Sequence, residues 1–466
     1  AGARTFTFTA TDKDGTSAPV MLAVSVLRAQ NSAIRMCAAT GTYMQDFNTL
    51  ATNGTDVVWD NAAEPLEAWH AYANAAAVTT YRTGAGTATS GDLYSFGAAG
   101  SQDRSLGSLA GSGMTYRYGV AFTNESGLTL TNLTVRFTAE QWRAANGATN
   151  SLTFDYCMTN CVLPLNQGTW RRVSALCYDS TLVTNVARSA GAVYTSSYRS
   201  SAITRPIAPG QVVLLRWSDP DDTGNDHAFG IDDLTVTWAA GALPEAIRVG
   251  RAGVSENFDD MGPSPNAELP LFWRVESRDD APRVSGPYAS AAERTLQANV
   301  VSNFTAAGSY NFSSSGMFDQ GVGGLSVSNT AKSVTVFAKF SNVTGAPLLR
   351  WTIRYAVEKY RNGLTGCSVR LLVAKDGETW SAVGEPTSFA ADTDTSGAAL
   401  AMRPGTSVAV ERQVTFSSPV AAGEIFYLAW QYAVTDGNST SDAQALGIDD
   451  IFVVPHVPTD CVMMVK

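Results

Sequence analysis

An all-β chain, built as two tandem antiparallel sandwiches behind an N-terminal β-hairpin, is what the sequence predicts. Three observations predict it. Apolar residues recur with a period of two in short runs bounded by turn residues, the alternation that lays one strand face on a core. Helix signals are scarce. Four short anchors recur in the same order about 210 to 220 residues apart, the mark of a duplicated module.

Composition narrows the function classes. The 466 residues suffice for about three average domains or two large β domains. Apolar residues make up 45%, enough to exclude a compositionally disordered chain. Only 16% are charged, against roughly 25% in an average soluble domain. A net charge of −10, with no lysine between Lys13 and Lys332, argues against nucleic acid as a partner. Three histidines (His70, His227 and His456) leave little room for imidazole catalysis or His-rich metal sites. His227 reads as a surface residue of an acidic loop. No run of about 18 apolar residues exists, so no membrane-spanning segment is expected.

Residues 1–30 read as the hairpin. Thr5 to Ala10, the turn Asp12-Lys13-Asp14-Gly15, and alternating Val20, Leu22, Val24 and Val26 form two amphipathic strands. This pair resembles the last two strands of immunoglobulin-like modules in bacterial surface proteins. A lone hairpin is marginal in water, so it needs a covering surface. That surface belongs to an upstream domain, to the first sandwich, or to another copy of the chain.

The first module is read over 36–240 and the second over 250–456. A linker with Gly241, Pro244, Gly250 and Gly253 joins them, and 457–466 is a tail. Gln45-Asp46-Phe47-Asn48 recurs as Glu256-Asn257-Phe258-Asp259. The turn from Phe122 to Gly127 recurs from Phe340 to Gly345. The run Arg136 to Arg143 recurs as Arg354 to Arg361, and Gly230-Ile231-Asp232-Asp233 as Gly447-Ile448-Asp449-Asp450. Strands are expected over 115–122, 128–137, 212–217, 333–340, 369–373 and 425–430. Two short helices are expected, one at Ser290-Ala291-Ala292-Glu293, which has capping-box spacing, and one over 66–77. The sequons at Asn124 and Asn342 are ascribed to chance in a chain rich in Asn, Ser and Thr.

Cys157, Cys161 and Cys177 lie close in sequence, whereas Cys37, Cys367 and Cys461 stand apart. Without a neighbouring histidine the three do not suit zinc. One local disulfide among them is expected in an oxidising compartment, the other reading being buried free thiols.

The closing Gly-Ile-Asp-Asp strand and the opening acidic-Phe strand of each copy resemble those of MAM-type and galactose-binding-like jelly rolls in secreted bacterial surface proteins. The resemblance covers about 40–456. It implies jelly-roll sandwiches and a structural calcium ion between the first and last strands. Its ligands would be Asp46 with Asp232 or Asp233, and Glu256 or Asp259 with Asp449 or Asp450. Hard oxygen donors of this kind suit calcium. The other reading is that these aspartates satisfy backbone amides at a strand bulge. A second acidic cluster precedes each closing strand: Asp219, Asp221, Asp222 and Asp226 in one copy, Asp436, Asn438 and Asp442 in the other. Each is either a calcium loop or a solvated turn.

Alternation puts Arg136, Glu140 and Trp142 on one strand face, and Arg354, Glu358 and Tyr360 on its counterpart. Such a face is either a glycan platform or a cross-strand ladder of charges and rings. No G-x-S-x-G elbow or base-nucleophile spacing appears, so catalysis is not expected. The chain reads as an extracellular or cell-surface, non-catalytic structural or adhesive protein (a stalk, adhesin or filament subunit). Its partners would be other copies of itself or cell-surface glycans. The alternative is a glycan-binding accessory region of a larger secreted enzyme.

Overall fold

The computed structural model describes residues 4–8, 11–12, 15–16, 20–24, 32–63, 65–145, 148–183, 195–262, 265–279, 285–299, 305–313, 319–393, 406–435 and 443–457. The chain is all-β, with two tandem sandwiches of jelly-roll type and an N-terminal hairpin. Arg4–Phe8 pairs antiparallel with Val20–Val24, and among the described residues this pair joins no other strand. Among the described residues no helix is long and apolar enough to cross a membrane.

In the first module one sheet runs Thr195–Ile203, Leu130–Arg143, Ala228–Ala240, Ser105–Leu109, Asp92–Phe96, Thr80–Gly84, Val57–Val58. The facing sheet runs Arg171–Arg172, Ser151–Thr159, Val212–Asp219, Tyr116–Asn124, Trp69–Ala73, Ala76–Ala77. The second module repeats the plan. Gln297–Asn299, Gly308–Ser313, Gln320–Leu325, Ala445–Pro455, Leu348–Arg361 and Thr406–Val420 face Ile247–Val249, Ser333–Asn342, Ile425–Val434, Cys367–Ala374 and Ser381–Phe389. Most pairs are antiparallel; Thr80–Gly84 with Asp92–Phe96 is a parallel exception.

Each module has its own core, and the two cores share no residue. Trp217 stacks on Trp69 at 5.9 Å and meets Phe137 and Phe154 edge-on. Trp430 stacks on Trp273 at 5.5 Å and meets Tyr355 edge-on. Phe47 and Phe258 occupy matching places against Trp69 and Trp273.

The repeated turn is stapled by a buried asparagine. Asn124 donates to the carbonyls of Leu128 and Ile207, both at 2.8 Å, and accepts from Ser126. Asn342 does the same with Ala346, Val420 and Thr344. Gly127 and Gly345 close these turns at φ of 72° and 85°, where a Cβ would be strained. Both asparagines are fully buried. With their amide hydrogens committed, neither sequon is open to a glycosyl donor.

Both expected helices are replaced. Over 66–77 the chain forms strand Trp69–Ala73, because Trp69 and Ala71 alternate into the core and the backbone pairs with Tyr116–Val120. Tertiary pairing overrides the weak helical pattern. Near 290 only a single 3-10 turn, Tyr288–Ser290, is present, and Val275 and Ala292 bridge instead. The expected local disulfide is also absent: Cys157, Cys161 and Cys177 are free. Cys177 lies against the backbone of Phe154, three residues from Cys157 along an extended strand. That is about 10 Å, beyond disulfide reach. Burial raises the half-buried Cys177 thiol to about 11, which disfavours the reactive thiolate.

Candidate functional site

The closing motif builds a β-bulge. Arg136 pairs with Thr235 but Thr138 with Asp232, so the Ala228–Ala240 strand carries an extra residue. Leu348–Arg361 and Ala445–Pro455 skip identically between Arg354 and Ala356. Asp233 and Asp450, both at φ 50°, take the left-handed position that Asp tolerates better than branched residues. The preceding carboxylate, Asp232 or Asp449, accepts from that amide at 2.7 Å. The opening strand uses a parallel device. Gln45 and Glu256 each accept from the amide two residues on, at 2.9 Å, where Phe47 and Phe258 are left-handed. Asn48 and Asp259 accept from the amides of Arg104 and Gln320 at the next strand start.

Burial and neighbouring carboxylates act together on these acidic groups. Burial raises Asp232 to about 8, and Asp233, Glu140 and Asp103 add repulsion. Burial raises Asp449 to about 10, with Glu358, Asp450 and Asp319 adding to it. Asp259 rises to about 7 by burial, with Asp319, Asp260 and Asp450 nearby. Burial likewise takes Glu256 to about 7. Asp46 does not belong to this set. It is exposed and accepts from the Asn48 amide, and its counterpart in the second copy is Asn257. Glu140 and Asp103 face Asp232 in its stead. The hard oxygen donors suit calcium in kind, yet among the described residues no group of three His, Cys, Asp or Glu is arranged to hold an ion.

The second acidic cluster is a hydrogen-bonded turn. Ser108 donates to buried Asp219 at 2.7 Å, the Gly113 amide to Asp221, and Asn150 to Asp222 at 2.7 Å. Asp226 accepts from the Asp222 amide and is raised by burial to about 6. Asp436, Asn438 and Asp442 lie outside the described residues. His227 is fully buried rather than at the surface, and Nδ1 accepts from the Ala145 amide at 2.8 Å. Burial lowers its pKa, keeping the ring neutral.

Of the two readings of the strand with Arg136, Glu140 and Trp142 and of its counterpart with Arg354, Glu358 and Tyr360, the ladder of charges and rings fits the burial. Trp142 is 6% and Tyr360 3% exposed. Trp142 stacks on Phe96 and Phe96 on Tyr94; Tyr360 stacks on Phe312 and Phe312 on Tyr310. Glu140 and Glu358 accept from Trp142 Nε1 and the Tyr360 hydroxyl and lie inside the same layer. Arg354 is tied to Glu411 at the surface, and Arg136 is half-buried. A Cβ at Gly230 would meet Ser105 Oγ at 2.6 Å and crowd Trp142 at 3.2 Å, and one at Gly447 would crowd Phe312 at 3.0 Å, so both copies of the motif favour glycine there.

Partly exposed rings and guanidiniums over a buried carboxylate lie on the other sheet. On the outer face of the first module, Asp155 accepts from Arg216 at 2.8 Å and from Arg172 at 3.1 Å. Burial would raise Asp155, but the two guanidiniums outweigh it and hold the carboxyl below its ordinary value. Half-buried Trp170 lies over Arg216, whose Cζ is 3.8 Å from the ring centroid. Arg117 and Tyr72 flank this patch, facing each other across paired strands. In the second module Trp380 covers Phe337, and Tyr288 packs on Tyr427 under Arg274. Sequence reasoning missed this face because Asp155, Arg172 and Arg216 share no local motif. They meet only through strand register, which sets Asp155 opposite both Arg172 and Arg216.

No family model matches this chain, and no curated protein does. Among solved structures it is similar to the tandem CBM22-1–CBM22-2 domain of Paenibacillus barcinonensis Xyn10C, at 10% identity over 88% of this chain and 99% of that one, TM-score 0.24. The K2 cleaved adhesin domain of Lys-gingipain is similar at 21% identity over 44% of this chain and 99% of that one, TM-score 0.25. TmCBM61, solved with β-1,4-galactotriose, is similar at 14% identity over 43% of this chain and 94% of that one, TM-score 0.20. At these scores the likenesses carry no argument about what this chain does.

Proposed function

We propose that this chain is a non-catalytic glycan-binding tandem, an accessory region of a larger secreted protein. The observation that carries the reading is Trp170 held flat on Arg216 beside Asp155 and Arg117, with Tyr72 adjacent. A sugar ring presents C–H groups on its faces and hydroxyls on its rim. An indole packs on the faces, while the guanidinium edges of Arg172 and Arg216, held by their ion pairs to buried Asp155, read the hydroxyls. Fixing those groups beforehand spares the ordering cost of binding. We extend the proposal to a structural calcium ion at each bulge. Asp232 with Asp233, and Asp259 with Asp449 and Asp450, would have to draw together into a coordination they do not hold here, and the ion's charge would relieve their mutual repulsion.

Affinity electrophoresis of the full chain against a panel of plant and bacterial polysaccharides tests the platform. Trp170→Ala is expected to weaken binding of any retained polysaccharide by about tenfold or more, while Trp142→Phe, inside the buried stack, leaves it unchanged. Undiminished binding by Trp170→Ala removes this face from the account. The rival reading is a stalk or filament subunit joined through the hairpin, whose two strands pair only with each other among the described residues. Deleting residues 1–30 separates the two. A stalk loses its assembled size by light scattering, whereas an accessory module keeps its binding.

A further inference from the structure

The two modules meet along a seam that contains a polar cavity of about 370 Å³, above the roughly 300 Å³ at which ligand pockets begin. Strand pairing supplies its wall. Arg171 lies opposite Tyr156 in the first module, and Glu268 bridges Arg294 in the second. Arg205 completes the ring of charge. All three guanidiniums converge on Glu268. Arg171 donates to its backbone carbonyl at 2.8 Å and approaches Oε2 at 3.4 Å. Arg205 is 2.6 Å from Oε2, and Arg294 pairs with Oε1.

The charges do not balance in that wall. Each guanidinium carries about five N–H donors, and one carboxylate has about four acceptor sites. Among the described residues Glu268 is the only carboxylate lining the cavity. Beyond the lining, Asp260 and Glu256 act on Arg171 and Glu293 acts on Arg205 from further off, while Asp260 is hydrogen-bonded to Ser174 and Glu293 to Arg274. Arg205 is disfavoured as a cation by burial and then by Arg171 beside it. Tyr156 and Gln211 add a ring edge and an amide to the lining.

We propose that this seam cavity is a subsite for a carboxylate-bearing sugar, a uronate unit of the glycan. The inference rests on the glycan-binding reading above and names the substrate class. Arginine forks match the planar carboxylate bidentately. Gln211 and the Tyr156 hydroxyl supply the hydroxyl contacts that a simple inorganic anion would not use. Because both modules contribute, the subsite exists only in the tandem.

Calorimetry on the full chain at low salt, with an oligogalacturonate and its carboxyl-reduced neutral counterpart, tests the subsite. The acidic form is expected to bind about tenfold tighter. Arg205→Gln or Arg294→Gln is expected to abolish that preference, and Glu268→Gln, which frees the forks, to strengthen it. Arg294, half-exposed, covers the case in which Arg205→Gln loosens the seam. Equal binding of the two forms overturns the proposal, as does a preference that survives both arginine variants. Inorganic phosphate competing as well as the acidic sugar overturns it too, since a bare anion site would then explain the preference. If the two forms bind equally while Trp170→Ala still abolishes binding, only the seam subsite falls and the platform stands.

Discussion

Replacing Trp217 by alanine lowers the stability of the first module by about 3–5 kcal/mol, the range for deleting a large aromatic from a packed core. Trp217 is fully buried and touches Trp69, Tyr118, Phe137 and Phe154, so no single neighbour can fill the space it leaves. Trp430→Ala does the same to the second module, where Trp273 and Tyr355 lose their shared partner. Because the two cores share no residue, the effects are independent and additive. Differential scanning calorimetry of either variant resolves two transitions, one at the parental temperature and one moved down. For a domain of this size the shift is about 2–4 °C for each kcal/mol lost. A single transition that moves as a whole in both variants contradicts separate cores and shows that the seam couples them.

Raising the pH in the presence of chelator destabilises the chain, and calcium reverses the trend. Asp232 and Asp449 have folded-state values of about 8 and about 10, against an ordinary 3.8, with burial as the main cause. The folded state therefore binds more protons than the unfolded state between about pH 4 and those values. Stability accordingly falls as pH rises through that window, and below it both states are protonated and the penalty vanishes. Asp449→Asn keeps the acceptor for the Asp450 amide and removes the charge, so in chelator at pH 8 it raises Tm. In excess calcium the ionised cluster is the binding form. The parental chain then gains stability with calcium concentration, and Asp449→Asn loses that gain. Tm measured at pH 5 and pH 8, with chelator and with calcium, distinguishes the outcomes. A Tm indifferent to calcium at pH 8 removes the ion from the proposed function, and one that rises with pH in chelator contradicts the buried-acid account.

The sequence by itself determined the architecture. Period-two alternation located the strands from 115 to 122 and from 333 to 340; they run Tyr116–Asn124 and Ser333–Asn342, each two residues further at its end. The repeated Phe-to-Gly turn and the Gly-Ile-Asp-Asp strand marked the duplication, because each is written in consecutive residues that bond their own turn or bulge, although the turn's asparagine also reaches across to Ile207 or Val420. Local chemistry of that kind is written in consecutive residues. Which aromatic rings reach solvent was decided only in three dimensions. Trp142 and Tyr360 alternate with core residues as an outward strand face should, yet further rings on neighbouring strands cover them. Trp170, in an irregular stretch with no pattern of its own, lies on the accessible face. The register that sets Asp155 against Arg172 and Arg216, and the seam that gathers three arginines on Glu268, join residues up to about a hundred positions apart. Alternation says which face a side chain takes. It does not say what the next strand, or the next module, lays over that face, and that covering decides which charged and aromatic groups are left to meet a ligand.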